Sequence, residues 1–132
     1  VIFHKAVQGQ AYDCYLEKDA SFPMMYMSDA VTAAIQLMEA PKDRLTVMMA
    51  YNLAAWSFTP EELAEGIRRH YPDFEINYKP DFRQAIADSW PDTIDDAAAR
   101  ADWGWHEQYS ISEMIDDMIQ NLSQIYKREL KA

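Results

Sequence analysis

Cysteine is almost missing from this chain. Cys14 stands alone among 132 residues, which excludes an internal disulfide and fits a reducing compartment, with the cytoplasm as the expected location. The three glycines nowhere form a Gly-x-Gly-x-x-Gly turn, so no dinucleotide-binding fingerprint is present. Positive charge is also short. Twelve Lys and Arg stand against 22 Asp and Glu, a net charge of −10, which argues against a nucleic-acid partner or an anionic membrane partner. No apolar run reaches membrane-spanning length, and no signal peptide heads the chain. His4, His70 and His106 are dispersed without metal-ligand spacing and read as surface residues. No internal repeat, low-complexity segment or dividing linker occurs.

What is present is ordinary for one globular domain: 49% of the residues are hydrophobic, enough to build a core. Ile2, Phe3, Ala6 and Val7 lie on one face of a helix from Val1 to Gln8, stopped by Gly9. Tyr12 to Leu16 and Met24 to Met27 read as short strands. Ser28 suits the N-cap of a helix whose apolar face is Val31, Ala34, Ile35 and Met38, and Pro41 ends it. The apolar run Leu45 to Leu53 reads as a buried strand. Thr59 and Glu62 form a capping box with Pro60 at the first helical position, and Leu63, Ile67 and Tyr71 mark that helix's buried face. Phe74, Ile76 and Tyr78 alternate with polar residues in a half-buried strand. A second capping box, Ser110 and Glu113, opens the longest helix, with Ile111, Met114, Ile115, Met118, Ile119, Leu122, Ile125 and Tyr126 at helical spacing. The polar tail from Lys127 to Ala132 is expected to fray.

The densest stretch runs from Arg83 to Trp105. A short helical run ends in Asp88-Ser89-Trp90-Pro91, because Pro91 lacks a donor and holds Trp90 extended. An acidic turn from Asp92 to Asp96 precedes a small-residue helix, Ala97 to Asp102, with Gly104 as its left-handed stop. Trp90, Trp103 and Trp105 bracket the turn and are expected to bury a large apolar area.

Asp95 to Ala99 followed by Gly104-Trp105 resembles the C-terminal part of the extended short-chain dehydrogenase/reductase superfamily. Narrower words are Ala87-Asp88-Ser89-Trp90-Pro91, Asp102-Trp103-Gly104-Trp105, Pro23-Met24-Met25-Tyr26-Met27 and Ser57-Phe58-Thr59-Pro60-Glu61-Glu62-Leu63. Together they resemble the short-chain type of L-threonine 3-dehydrogenase over nearly the whole chain. The resemblance implies an α/β fold for the parent, this chain being its C-terminal substrate-binding lobe (residues 1–132) with mixed helices and short strands, plus the last strands of the sheet. The chain opens at Val1 without an initiator methionine, and it is read as roughly the last two-fifths of such an enzyme. The implied reaction is oxidation of L-threonine to 2-amino-3-oxobutanoate with NAD as cofactor, in a homodimer formed through upstream helices. The superfamily's Tyr-x-x-x-Lys catalytic dyad does not occur here. Tyr78-Lys79 and Tyr126-Lys127 are adjacent and share no helix face. No catalytic and no cofactor-binding residue is therefore assigned to this chain; both are expected upstream of Val1.

Trp90 is the one substrate-binding candidate. Read from the residues alone, a core residue at a helix end is favoured over a pocket wall. The resemblance implies the wall, since the matching tryptophan lines the substrate pocket in that family. In nucleotide-sugar epimerases a phosphate-pairing arginine precedes the strand matched by Phe22 to Asp29. No basic residue stands there in this chain, and the apolar lining suits a small amino acid better than a nucleotide diphosphate. A nucleotide-sugar epimerase or dehydratase is thus the second reading, and a non-enzymatic interaction module the third. Cys14 reads as a small buried apolar group. The pairs Glu61-Glu62, Asp95-Asp96 and Asp116-Asp117 read as solvated structural charges.

Overall fold

The computed structural model describes residues 1–129. Its elements, in chain order, are α1 (Ile2–Val7), β1 (Tyr12–Cys14), β2 (Phe22–Met24), α2 (Met27–Glu39), a 3-10 turn (Lys42–Arg44), β3 (Trp56–Phe58), α3 (Pro60–Arg68), β4 (Ile76–Tyr78), α4 (Phe82–Ala87), α5 (Ala97–Trp103) and α6 (Ile111–Glu129). Among the described residues the strands form two separate pairs. β1 runs parallel to β4, with Tyr12 opposite Ile76 and Cys14 opposite Tyr78. β2 runs antiparallel to β3, with Phe22 opposite Phe58 and Met24 opposite Trp56. No helix among the described residues is long and apolar enough to cross a membrane.

The main core lies where α1, α3 and α6 meet. Phe3 and Ala6 come from α1, Leu63, Ala64 and Ile67 from α3, and Met114, Ile115, Ile119 and Leu122 from α6, with Phe74 closing one end. Gly66 lets α3 and α6 approach closely, since a Cβ there would collide with the Ile115 side chain. Both expected capping boxes form. Thr59 Oγ1 accepts from the Glu62 amide while Glu62 accepts from the Thr59 amide at 2.8 Å, and Ser110 and Glu113 repeat the exchange. Gly104 takes φ 75° at the end of α5, the left-handed conformation that a Cβ disfavours. A smaller core joins Ala33, Ala99 and Trp105.

Several expectations are corrected. Leu45 to Leu53 is not a strand, and Met48 and Met49 are almost fully exposed. Its amides turn to side chains instead of a ladder: Thr46 N–H donates to Asp102 at 2.8 Å, and Val47 N–H to the Tyr51 hydroxyl at 3.1 Å. The second expected strand lies at Phe22–Met24, earlier than Met24 to Met27. The following helix is preceded by Tyr26, so Ser28 sits inside its first turn. That helix buries Asp29 and Ala33, while Val31, Ile35 and Met38 face outward, because small Ala33 and Ala99 allow α2 and the α5 region to meet in the smaller core. The tail from Lys127 is helical through Glu129, and the rest of the expected frayed segment, 130–132, lies outside the described residues.

Candidate functional site

Trp90 is reached by building outward from β2 and α4. Asp81 caps α4, accepting from the Arg83 amide at 2.9 Å. After Ala87 the chain tightens into a turn in which Trp90 N–H donates to the Ala87 carbonyl at 2.9 Å and Ser89 Oγ to the Ile86 carbonyl at 2.6 Å. Beyond Pro91, the Asp92 carbonyl accepts from Ser57 Oγ at 2.7 Å, which ties this turn to β3. The result holds Trp90 edge-on to Phe22, with ring centroids 6.4 Å apart and planes at 88°.

The indole is 56% exposed, so the expectation that all three tryptophans bury apolar area is corrected. Trp105 is buried in the smaller core, Trp103 is half-buried against Tyr51, and Trp90 stands out from the fold. Trp90 borders an open cavity of about 260 Å³ that Tyr15, Phe22, Met24, Arg83 and Ile86 also line. The lining is largely apolar, with Arg83 as its one charged residue. Trp90 also borders a second groove, which shares Phe22 and Ala87 with the first and is rimmed by Glu17, Asp19, Asp88 and Asp92. Its position is therefore that of a loop side chain between a scaffold and solvent, a common place for recognition residues.

Arg83 is held from two directions. Its guanidinium lies over the Tyr15 ring, 3.4 Å from the centroid. Its Nε and Nη2 donate to the Asp81 carboxylate at 3.0 and 2.6 Å. The Arg83 side chain and amide together hold the Asp81 carboxyl below the usual range, and Asp81 in turn raises Arg83.

The other candidates lie elsewhere. Cys14 is buried in β1, and burial pushes its thiol up, away from the nucleophilic thiolate. His4, His70 and His106 are exposed and pair with Tyr126, Asp116 and the Gly104 carbonyl respectively. Among the described residues no three His, Cys, Asp or Glu side chains gather in a metal-binding group.

No family model matches the chain. It is 45% identical over 119 residues to the mitochondrial L-threonine 3-dehydrogenase of Bos taurus, covering 89% of this chain and 32% of that one. An uncharacterized epimerase/dehydratase of Staphylococcus saprophyticus is 45% identical over 131 residues, 98% of this chain and 41% of the relative. The solved GalE-like L-threonine dehydrogenase from Cupriavidus necator, in its apo form, superposes with a TM-score of 0.89 at 56% identity, over 92% of this chain and 44% of that one. The chain belongs to the extended short-chain dehydrogenase/reductases. It corresponds to a C-terminal portion of such a protein and spans between about a third and two-fifths of the length of the curated relatives it matches.

Within this extended short-chain dehydrogenase portion, three aspartates do more than solvate a surface. Asp29 is fully buried and accepts the amides of Gln108 and Tyr109 at 3.1 and 3.2 Å, joining α2 to the entrance of α6. Asp96 accepts from Arg100 Nε at 2.8 Å and from the Trp105 indole at 3.1 Å. Burial alone would raise its pKa, but Arg100, the Ala54 amide and Trp105 together bring it below the ordinary value. Asp102 takes the Tyr51 hydroxyl and both donors of Thr46. Two further carboxylates read as solvated are also engaged. Asp117 accepts from Tyr26, which pushes that phenol up to about 12, and Glu61 accepts from Tyr78 and from Arg68 at 2.9 Å. The partners of Asp29, Asp102 and Asp117 lie at least 51 residues away in sequence, beyond any local pattern.

Proposed function

We propose that the chain is the substrate-binding portion of an NAD-dependent L-threonine 3-dehydrogenase. The observation that carries this reading is the 56% identity to a solved L-threonine dehydrogenase across nearly the whole chain, together with a small apolar cavity beside Trp90. In the proposed reaction, the 3-hydroxyl carbon of threonine gives up a hydride to NAD and the hydroxyl gives up a proton, leaving 2-amino-3-oxobutanoate and NADH. The described residues supply no dinucleotide turn and no Tyr-x-x-x-Lys dyad, so the NAD site and the acid/base are assigned to a separate Rossmann-type domain of the longer protein. The role left to this chain is recognition: Trp90, Phe22, Met24 and Ile86 form an apolar wall for a small substrate and exclude water on its side of the pocket. The homodimer and the cytoplasmic location are part of the same proposal, although the bovine relative is mitochondrial by name.

The second reading, a nucleotide-sugar epimerase or dehydratase, is favoured by the name of the staphylococcal relative. Against it stands the stretch Phe22 to Asp29, which carries no basic residue where a phosphate-pairing arginine would be expected. The test is the full-length protein with NAD, assayed for NADH at 340 nm with L-threonine and, separately, for conversion of UDP-sugars. Threonine-dependent NADH is expected. UDP-sugar conversion without it would overturn the proposal.

A further inference from the structure

The cavity beside Trp90 is apolar with one exception, and that exception is a cation built to stay in place. Arg83 has its guanidinium plane against Tyr15 and its Nε edge against Asp81. Among the described residues Nη1 donates to no protein acceptor, so the guanidinium keeps free N–H donors where it lines the cavity. An arginine oriented on both sides loses little freedom when it takes a second anion, and its planar fork matches a carboxylate. A neutral ligand in the same place would leave those donors to solvent, the Arg83 side chain being 44% exposed.

We infer that Arg83 is the specificity residue for the carboxylate of a small 2-amino acid, with Trp90 and Ile86 facing the substrate's apolar end. This deepens the threonine dehydrogenase reading and rests on it. Asp81 and Tyr15 are then positioning residues: they act on the substrate only through the orientation of Arg83.

The test uses the full-length enzyme and two substrates, L-threonine and 1-amino-2-propanol, which is threonine with its carboxylate replaced by hydrogen. The wild-type enzyme is expected to prefer threonine strongly. In Arg83→Gln, kcat/KM for threonine should fall by about 10- to 100-fold, from the loss of a charged hydrogen-bonded pair, while that for 1-amino-2-propanol changes little, so the preference collapses. Arg83→Lys should recover part of the preference, since the charge remains and the fork does not. Asp81→Asn keeps a capping acceptor for α4 but loosens the hold on Arg83, so it should lower the preference in the same direction as Arg83→Gln and by a smaller factor. An Arg83→Gln enzyme that keeps the full preference overturns the assignment while leaving the threonine reading intact. Equal loss for both substrates in Arg83→Gln and Asp81→Asn also overturns it, by showing that the pair only holds α4. A wild-type enzyme inactive on threonine instead removes the functional reading on which the assignment rests.

Discussion

Helices α2 and α3 are both amphipathic by sequence, yet the fold treats them oppositely. α3 turns Leu63, Ala64 and Ile67 into the main core, where Ile67 has no exposed surface. α2 turns its large apolar residues outward, with Met27 71%, Val31 53%, Ile35 50% and Met38 85% exposed, and buries little beyond Asp29 and Ala33. Met48 and Met49 add further exposed apolar surface in the loop that follows. Periodicity identifies the face of a helix that seeks a partner. It does not say that the partner lies in the same stretch of chain. The difference fits the proposed division of labour, in which residues 1–129 complete one core themselves and leave a second apolar surface for the rest of a longer protein.

The comparison can be broken most directly in the core. Ile67→Ala should destabilise the isolated chain by ~2–5 kcal/mol, through lost burial and the cavity left behind. Ile35→Ala in the same chain should cost no more than ~0.5 kcal/mol, as for surface substitutions generally. Urea unfolding of the two variants measures both. In the full-length protein the gap should narrow, because Ile35 would then be covered. An equally large loss at Ile35 in the isolated chain would show that α2 already has its partner within these residues.

A second test sharpens the contrast through association. The isolated chain should self-associate or aggregate, since exposed apolar surface of this kind drives intermolecular contact. Ile35→Glu together with Met38→Glu should reduce that association. Light scattering reads the result, and a clean monomer of the unsubstituted chain at high concentration would count against the unpartnered face.

Smaller, and lost at low pH, is the contribution of Asp102, which pins the 45–53 loop to α5. Tyr51, then the Thr46 amide and hydroxyl, hold its carboxyl below the ordinary aspartate value of 3.8. The unfolded chain therefore binds this proton more readily than the folded one. The stabilisation is present above that ordinary value and disappears as pH falls through the depressed folded one. Asp102→Asn should lower stability at neutral pH and flatten the fall in stability below about pH 4, as followed by unfolding at a series of pH values. An unchanged acid limb in the variant would remove Asp102 from this role.

What was legible in the sequence follows the range of the interactions. The capping boxes at Thr59 and Ser110 and the Gly104 stop are settled within three or four residues, and they form where the pattern put them. The place of Trp90, between the end of α4 and Pro91, was legible for the same reason. Its neighbours were not, because Phe22 and Tyr15 reach it across more than sixty residues of chain. Leu45 to Leu53 has a strand's composition but finds Asp102 and Tyr51 in place of a neighbouring strand. By local position Asp29 is an acidic residue in the first turn of α2, and only the return of Gln108 and Tyr109 makes it a buried acceptor.

The central claim is that Trp90 contacts substrate rather than supporting the fold, and its truncation in the full-length enzyme tests that directly. A buried aromatic truncated in a core costs ~3–5 kcal/mol of stability. Trp90 is more than half exposed, so Trp90→Ala should instead remove ~1–3 kcal/mol of transition-state stabilisation. The account predicts about a ten- to hundredfold loss in kcat/KM for threonine, with NAD affinity and melting temperature nearly unchanged. A collapsed melting temperature with normal threonine kinetics in the surviving enzyme would contradict it.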